Sequence, residues 1–365
     1  MFKSIKKKFF LLASTLIFSQ VVRAQNLSAF MDYRQYFQVF DKGVVRQLDY
    51  LPVKSFKVGG NAIAYIDNTN EFRIYADDQK FDQTYGGTLN YFVTDNLVAY
   101  TVGKVLSVFE NQRTTNLSYY STIYAINDSL VGYFDESTYN FSVYYNGAVM
   151  DLESSMIEPP KKIKTGSNTL AYVNQSNFFK IFYHGQTYTI DDIAPVTFEA
   201  GRDLVAYIDD YNKYFHLFYK GDTARIETFA PDSFKVGFGI MAYVDNLGNF
   251  RVFNDGASRR LLTYRPDFFK VKGNTVVYSF NNNFTVFYKG EIYTLESYVP
   301  SNFQVGNDGV AYIDVSGRLK FFQAGKTYTA SYEVINHYEL FGNVLTYSVG
   351  TNTTQFFWNG KNYGQ

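Results

Sequence analysis

The chain of 365 residues carries 34 basic and 34 acidic residues, so its formal net charge is zero. It contains no cysteine, which excludes a disulfide framework and a lipid-modified cysteine. Hydrophobic residues make up 46% of the chain and aromatic residues 19%, enough to build a large core without cross-links.

The first 24 residues have the pattern of a secretory signal peptide. A lysine-rich start precedes an apolar run from Phe9 to Phe18, and Val22-Arg23-Ala24 offers small residues for cleavage before Gln25. The apolar run is about half the roughly 20 residues that a membrane-spanning helix needs, so we expect it to be removed. We therefore predict a mature chain of residues 25–365 that is periplasmic or extracellular, is not a lipoprotein and has no transmembrane segment.

Removal of this leader changes the charge of the chain. Five basic residues would leave with it, and the remaining 29 basic and 34 acidic residues give a net charge of −5. Nucleic-acid binding rests mainly on clustered Lys and Arg facing phosphates. Arg259-Arg260 is the nearest approach to a cluster, and a solvated turn explains it, so no nucleic acid is expected as a partner.

A repeat of about 35 residues organises the rest of the chain. One aromatic residue recurs in a short apolar run such as Ala-Tyr-Ile-Asp, and its successive spacings are 35, 35, 33, 39, 35, 36, 35, 34 and 35. These ten anchors are Phe30, Tyr65, Tyr100, Tyr133, Tyr172, Tyr207, Tyr243, Tyr278, Tyr312 and Tyr347. Ten copies of one unit therefore fill residues 25–365 as a single repeat domain.

Each unit is predicted to form four short antiparallel strands. In the copy from Ser233 to Asp267 we expect them at Phe234–Val236, Ile240–Val244, Asn249–Phe253 and Arg260–Tyr264, where aromatic and β-branched residues alternate with turn residues. Tight turns such as Lys220-Gly221 follow the third strand and indicate hairpins. No segment has a sustained helical period.

The fold class that follows is an all-β propeller of about ten four-stranded repeats. A small sheet gains its core by stacking on its neighbours, in a ring or in a solenoid. The first unit, from Asn26, lacks its first strand, while Tyr338-Glu339-Leu340 supplies one in the last unit; a solenoid would add polar caps instead. The long spacing around Pro159-Pro160 leaves two smaller rings, split near Pro160, as an alternative, and an open β-solenoid as another.

The unit resembles the blade of TolB-like propellers. The resemblance lies in Phe-Lys-Val-Gly, Ala-Tyr-Ile-Asp and Phe-Arg-Ile-Tyr between Phe56 and Tyr75, and in the Gly turn and Tyr-Thr-Leu of Gly290 to Leu295. Where that family carries Ser-Pro-Asp-Gly between the first two strands, this chain has Gly59-Gly60-Asn61 or Gly306-Asn307-Asp308-Gly309. The resemblance implies blade topology and no active-site residue.

Catalytic motifs and metal-ligand spacings do not occur in the sequence. His184, His216 and His337 share no spacing with a second ligand, and no Gly-x-Ser-x-Gly elbow or phosphate-binding Gly-Lys-Ser/Thr loop is present. We therefore expect no metal, no cofactor and no catalytic residue.

The candidate binding residues are recurring acids and one tryptophan. Six units carry Asp two residues after the anchor: Asp32, Asp67, Asp135, Asp209, Asp245 and Asp314. Such acids either close the following turn through backbone amides or form a ring of carboxylates that binds cations or a basic partner. On the second interpretation the speculative binding residues are Asp67, Asp209, Asp245 and Asp314, with Trp358, which could instead help to close the ring.

Aromatic pairs form the second recurrent feature. Pairs such as Tyr144-Tyr145 and Phe182-Tyr183 put one ring on each side of a strand, so one ring should pack between blades while the other is available at the surface. Exposed aromatic rings can stack on sugars or form protein interfaces.

Three functional hypotheses follow. The uniform repeat without a catalytic constellation favours an exported, non-catalytic binding or scaffold protein of the bacterial envelope or exterior, with a protein or glycan partner. The alternative is a carbohydrate-active propeller, a hydrolase or lyase, that uses acids from several blades. A third is a secreted structural protein of a matrix or surface layer. The oligomeric state is left open.

Overall fold

Ten small antiparallel sheets follow one another along the chain. The computed structural model describes residues 26–85, 89–121 and 123–364, and within these ranges every regular element is a strand. The predicted signal peptide, residues 1–24, lies outside the described residues. No helix in these ranges has the length and apolar character needed to cross a membrane.

The sheets are numbered here as blades 1 to 10 in chain order. Blade 1 consists of β1 (Leu27–Met31), β2 (Phe37–Asp41) and β3 (Val44–Asp49), and blade 2 of β4 (Ser55–Val58), β5 (Ala62–Ile66), β6 (Glu71–Ala76) and β7 (Gln79–Tyr85). Blade 3 consists of β8 (Leu89–Val93), β9 (Val98–Val102), β10 (Val105–Glu110) and β11 (Arg113–Ser118), and blade 4 of β12 (Ile123–Asn127), β13 (Leu130–Asp135), β14 (Asn140–Tyr145) and β15 (Ala148–Glu153). Blade 5 consists of β16 (Lys162–Thr165), β17 (Thr169–Val173), β18 (Phe179–Tyr183) and β19 (Gln186–Asp191). Blade 6 consists of β20 (Thr197–Ala200), β21 (Leu204–Ile208), β22 (Phe215–Tyr219) and β23 (Asp222–Glu227), and blade 7 of β24 (Ser233–Val236), β25 (Ile240–Val244), β26 (Phe250–Asn254) and β27 (Ala257–Leu262). Blade 8 consists of β28 (Phe268–Lys272), β29 (Thr275–Phe280), β30 (Asn283–Tyr288) and β31 (Glu291–Glu296), and blade 9 of β32 (Phe303–Val305), β33 (Gly309–Ile313), β34 (Leu319–Gln323) and β35 (Lys326–Ser331). Blade 10 consists of β36 (Ile335–Phe341), β37 (Val344–Val349), β38 (Thr353–Trp358) and β39 (Lys361–Gly364).

Every blade pairs its strands in sequence order, as predicted. Nine sheets have four strands, and blade 1 has three within the described residues, which begin at Asn26. In blade 7 the fourth strand is Ala257–Leu262, three residues earlier than predicted, since the Asp255-Gly256 turn leads directly into it. The two turn residues have φ of 49° and 83°, the signs expected for a type I′ hairpin turn, which matches the twist of the flanking strands.

The blades close into one ring. First strands of successive blades contact each other, including β12 with β16 and β32 with β36, so these strands lie nearest the axis and line a channel. The contact of β1 with β37 closes the circle. Because blades 4 and 5 share a hydrophobic cluster that includes Leu130 and Tyr172, Pro159-Pro160 is not a domain boundary. The ten-bladed propeller is thus confirmed, and neither two rings nor a solenoid is formed.

The aromatic anchors supply the core between blades. All ten are buried, with 8% or less of their surface exposed. Each tyrosine sits on the second strand and packs on the preceding blade: the Tyr243 ring centroid lies 5.4 Å from that of Phe215, and Tyr172 lies 5.0 Å from Phe141. The period of the sequence is therefore the period of inter-blade packing, because each sheet covers its apolar face with the next one.

Candidate functional site

The two ends of the channel differ in the turns that surround them. Turns between first and second strands and between third and fourth strands lie at one end, called here the upper face; turns between second and third strands and the blade connections lie at the lower face. The upper face holds a cavity of about 1080 Å³, called here the mouth cavity. Its lining comes from blades 3 to 10: Asp95, Asn96, Asp128, Tyr145, Asn168, His184, Arg202, Asp203, Phe238, Asn274, Tyr288, Lys289, Asn307, Asp308, Gln323, Ala324, Tyr328, Asn343, Asn359 and Gly360.

Glycines bring the backbones of neighbouring blades together at the base of this cavity. A Cβ on Gly166 would lie 2.0 Å from the Gly201 carbonyl oxygen, and a Cβ on Gly201 would lie 2.2 Å from that of Gly237. The approach allows hydrogen bonds between blades: Arg202 N donates to Gly237 O at 3.0 Å and Phe238 N to Gly273 O at 2.7 Å. Only glycine permits such close backbone approach, so these residues position the side chains that follow them.

Five side chains meet across the channel and form the mouth cluster: Asp95, Asp128, Arg202, Phe238 and Asn307. The Arg202 guanidinium binds Asp128 Oδ2 at 3.1 Å, and its Cζ lies 3.6 Å from the Phe238 ring centroid. Asn307 Nδ2 donates to Asp95 Oδ2 at 3.0 Å, linking blades 3 and 9. The cluster therefore joins residues that are up to 212 positions apart in the sequence.

Burial changes the ionisation of the two acids in this cluster. Burial, and to a smaller extent the nearby Asp128 carboxylate, raises the pKa of Asp95 to about 6. Burial also raises the pKa of Asp128, although the ion pair with Arg202 opposes that shift. A carboxyl group that titrates near pH 6 can hold or release a proton under mild conditions, which makes Asp95 a chemically distinctive group of the cavity.

Carboxamides and carboxylates continue from blade to blade around the upper face. Asn168 Nδ2 donates to Asp203 Oδ1 at 2.6 Å, and Asn274 Nδ2 donates to Asp308 Oδ1 at 2.8 Å. Asn96 Nδ2 reaches Asp128 Oδ1 at 2.9 Å. These bonds fix the orientation of polar groups before any ligand arrives, which lowers the entropic cost of binding.

His184 belongs to the same surface. Its Nδ1 lies 3.1 Å from the Tyr145 hydroxyl and its Nε2 lies 3.8 Å from Asp203 Oδ1. His216 instead contacts Asp209 near the lower face, and His337 lies on β36. Across the described ranges, no three His, Cys, Asp or Glu side chains are grouped so that they could hold a metal ion.

The predicted acids lie at the lower face, in the turns between second and third strands. Asp67 Oδ1 accepts hydrogen bonds from the amides of Thr69 and Glu71 at 2.8 and 2.9 Å. Asp209, Asp245 and Asp314 accept equivalent backbone bonds from their own turns.

Burial opposes the ionisation of three of these carboxyl groups, but their hydrogen bonds outweigh it, so the pKa values of Asp67, Asp209 and Asp245 are lowered. The structure thus places the acids as turn residues, one to a blade, and does not bring them together. A binding role for them stays a prediction.

Trp358 lies at the junction of blades 10 and 1. Its Nε1 donates to Asn26 Oδ1 at 3.0 Å, and its ring contacts Phe40 and Tyr363 at centroid distances of 6.2 and 6.0 Å. These contacts connect the two ends of the described chain. Trp358 therefore contributes to closing the ring, and its predicted binding role stays a prediction.

Aromatic exposure differs from the expectation drawn from paired rings. Both members of Tyr144-Tyr145 are buried, because the second ring of a pair also packs on the next blade: the Tyr145 centroid lies 5.6 Å from that of Phe182. The strongly exposed rings lie instead in lower-face turns and blade connections, and include Tyr50, Tyr119, Tyr211, Phe229, Tyr264 and Tyr332.

Sequence reasoning missed the whole mouth cluster. Its members lie in the turns after the first strands, where the residue type differs from blade to blade. The repeat pattern that predicts the fold therefore does not indicate them. One sequence signal indicates three members of the cluster: Arg202, Phe238 and Asn307 each follow a glycine that comes just after the first strand of its blade. A repeated glycine without the positive φ of a turn indicates a close backbone approach.

Residues 21–363 match the family described as the 10-bladed beta propeller domain. The chain belongs to this family. No curated protein matches this propeller.

Solved structures resemble the propeller only distantly. The computationally designed Ika8 protein is 13% identical over 73% of this chain and 95% of that chain, with a TM-score of 0.34. The CRINKLY WD40 ectodomain of the Arabidopsis thaliana receptor kinase ACR4 is 7% identical over 64% and 93%, with a TM-score of 0.35. Hsv2p of Kluyveromyces lactis is 12% identical over 65% and 94%, with a TM-score of 0.31. At these scores the likenesses carry no argument about function.

Proposed function

We propose that this propeller is a non-catalytic binding protein of the bacterial envelope or exterior, and that the mouth cavity holds its ligand. The observation that carries the proposal is the convergence of side-chain amides, carboxylates and tyrosine hydroxyls from eight consecutive blades around about 1080 Å³. A cavity of this size lies slightly above the roughly 300–1,000 Å³ of typical ligand sites. It suits a ligand larger than a single metabolite.

The chemistry of the lining favours a polyhydroxylated ligand such as a glycan. Hydroxyl groups both donate and accept hydrogen bonds, and the carboxamides of Asn168 and Asn274 present donors beside the acceptor oxygens of Asp203 and Asp308. Tyr328, which is partly exposed, adds ring surface against which a sugar face can pack.

Glycan-array binding with paired variants tests this proposal. Asn343 lines the cavity from blade 10, while Asn352 lies in a lower-face turn of the same blade. We expect the protein to bind a glycan and Asn343→Ala combined with Gln323→Ala to weaken binding at least about tenfold, the loss expected for one or two hydrogen bonds. Asn352→Ala should bind as the parent does. No glycan bound, or binding that survives every cavity substitution, would contradict the proposal.

A carbohydrate-active enzyme remains the second candidate, favoured by one observation. Asp95, with a pKa of about 6, lies near Asp128 in the mouth cavity, so two acids of different blades face the same space. Glycoside hydrolysis uses such a pair when one carboxyl is protonated and the other ionised. Polysaccharides that bind would be assayed for cleavage with Asp95→Asn and Asp128→Asn, with Asp209→Asn at the lower face as the control. Equal turnover by all three variants would end this idea.

We propose that the protein is exported, because of the pattern of its first 24 residues. We propose separately that the blade is TolB-like, because of its repeat pattern. The basic start, apolar run and cleavage position of residues 1–24 support secretion into the periplasm or beyond. Mass spectrometry of the protein recovered from periplasmic and culture fractions should find Gln25 at the amino terminus. Recovery of the intact leader from the cytoplasm would contradict this location.

A further inference from the structure

Alternate residues of the innermost strands face the channel. On β24, Phe234 pairs with the anchor Tyr243 and is partly buried between blades, whereas Lys235 is exposed. The residue after the one that pairs with the anchor is also lysine on three other first strands: Lys57 on β4, Lys164 on β16 and Lys270 on β28. Because side chains alternate between the two faces of a strand, these lysines lie on the same face as Lys235. Glu199 on β20 and Glu339 on β36 take the equivalent position, so the channel wall carries lysine on four blades and an acid on two.

Some of these charges are already compensated. Lys164 lies 3.6 Å from Glu199 on the adjacent blade, and Lys57 Nζ donates to Tyr91 O at 2.7 Å. Three other lysines, Lys235, Lys270 and Lys272, are exposed on adjacent blades 7 and 8. In the described part of the chain, no carboxylate oxygen lies within 4.0 Å of their ammonium groups.

The same three lysines border a cavity of about 390 Å³, which we call the lysine pocket. Its other lining residues are Phe269, Val271 and Val305, so the pocket has no acidic wall. The Lys270 ammonium lies 4.4 Å from the Phe303 ring centroid, a contact that holds its charge in the channel. Lys272 also borders a second cavity of about 400 Å³, which is lined by Arg202 and by the acids Asp95 and Asp128. The Lys272 charge favours the ionised form of Asp95, so it is compensated in part, whereas among the described residues those of Lys235 and Lys270 are not.

We propose that the lysine pocket binds a small anion carrying at least two oxyanion groups. Three lysines that border one pocket, with no carboxylate oxygen within 4.0 Å in the described ranges, repel one another, and a multivalent anion removes that repulsion. Lys270 and Lys272 are two residues apart on one strand, about 6.6 Å, and Lys235 approaches from the next blade, so separate groups of one ligand reach separate lysines. The concentration of positive charge stands out in a chain whose residues 25–365 carry a net charge of −5. This site is distinct from the mouth cavity and does not depend on the function proposed for it.

Calorimetry at low ionic strength with pyrophosphate and with citrate tests the proposal. Lys235→Gln combined with Lys270→Gln should weaken binding at least about tenfold, because each removed ion pair in a partly buried site costs on the order of a factor of ten. The matched control, Lys326→Gln combined with Lys361→Gln, removes the same charge from exposed outer strands and should change affinity less than about twofold. Acetate, with one carboxylate, should bind at least about tenfold more weakly than citrate. Comparison of citrate and pyrophosphate separates carboxylate from phosphoryl ligands.

A ligand-free measurement gives a second readout. Without added anion, the Lys235/Lys270 double variant should melt at a higher temperature than the parent at low salt, and this gain should vanish in 1 M salt, where the Debye length falls to about 3 Å. The control pair should show no such gain. Failure of both anions to bind, equal losses in the two double variants, or an unchanged or lowered melting temperature in the channel variant would each overturn the proposal.

Discussion

Tyrosine hydroxyl groups at the anchor position differ in whether they find a hydrogen-bond partner. The Tyr243 hydroxyl lies 2.9 Å from Glu227 Oε1 and 2.8 Å from Ser258 Oγ. The Tyr65 hydroxyl is buried and has no hydrogen-bond partner among the described residues. Identical residues at equivalent positions should therefore contribute differently to stability, because an unsatisfied buried polar group costs free energy.

We expect Tyr243→Phe to lower the free energy of unfolding by about 1–2 kcal/mol, because the hydrogen bonds from the Tyr243 hydroxyl to Glu227 and Ser258 are both lost. Tyr65→Phe should be neutral or stabilising by up to about 1 kcal/mol, since it removes only an unpaired hydroxyl. Urea titrations of both variants measure the difference. Equal destabilisation by the two substitutions would show that the hydrogen bonds of Tyr243 contribute little.

The pH dependence of stability should carry the signature of Asp95. Its pKa rises from 3.8 to about 6 on folding, so the folded chain binds the proton more tightly than the unfolded chain. Its contribution to stability is fully present below pH 3.8 and is lost as the pH rises through about 6. A shift of about two units corresponds to at most about 3 kcal/mol.

Asp95→Asn removes this titration. The stability of the variant relative to the parent should therefore increase between pH 4 and pH 7, by at most about 3 kcal/mol. Urea midpoints at several pH values provide the test. Parallel curves for parent and Asp95→Asn would contradict the predicted shift.

Individual elements are joined by backbone contacts as well as by side-chain packing. Apolar clusters between blades hold the sheets together. In the turns between the first and second strands, the backbones of neighbouring blades also contact each other, because a glycine of one blade lies against a glycine carbonyl oxygen of the next. A side chain there must displace backbone, which is more rigid than a neighbouring side chain. The glycine that follows the first strand is therefore an inter-blade contact residue.

Gly201→Ala should destabilise the protein by about 2 kcal/mol or more, because its Cβ would lie 2.2 Å from the Gly237 carbonyl oxygen. Gly364→Ala provides the control, since a Cβ at that position meets no atom within 4 Å and should change stability by less than about 0.5 kcal/mol. Thermal and urea unfolding compare the two variants. A Gly201→Ala protein as stable as the control would mean that the blades separate at little cost.

The whole molecule depends on closing the ring between blades 10 and 1. In the described part of the chain blade 1 has three strands, and the junction is made by an apolar cluster that includes Phe30, Phe40 and Phe356, with Trp358 packed against it. A hydrogen bond between Ser28 Oγ and Thr346 Oγ1, 2.5 Å long, crosses the same junction. Opening it would expose apolar surface on two blades at once, so closure couples the two ends of the repeat array.

Trp358→Ala should lower the free energy of unfolding by about 2–4 kcal/mol through loss of packing at this junction. Trp358→Phe keeps a ring against Phe40 and loses the bond to Asn26, so its cost should be nearer about 1 kcal/mol. Urea unfolding measures both, and hydrogen exchange should locate the increased opening in blades 1 and 10. Exchange that increases evenly around the ring would contradict the role of this junction.

The sequence by itself determined the number of blades, the order of their strands and the turns at Lys220-Gly221 and its equivalents. These features depend on contacts within one repeat or with the next repeat, so the residues that make those contacts recur in the sequence at a regular spacing. Only the tertiary structure decided which residues meet at the channel, because Asp95 and Asn307 lie 212 positions apart and become neighbours only when the ring closes. The acids at Asp67, Asp209, Asp245 and Asp314 repeat with the unit for a local reason, the turn that each one stabilises. The mouth cluster and the lysine pocket do not repeat, since they depend on the curvature and closure of the whole ring.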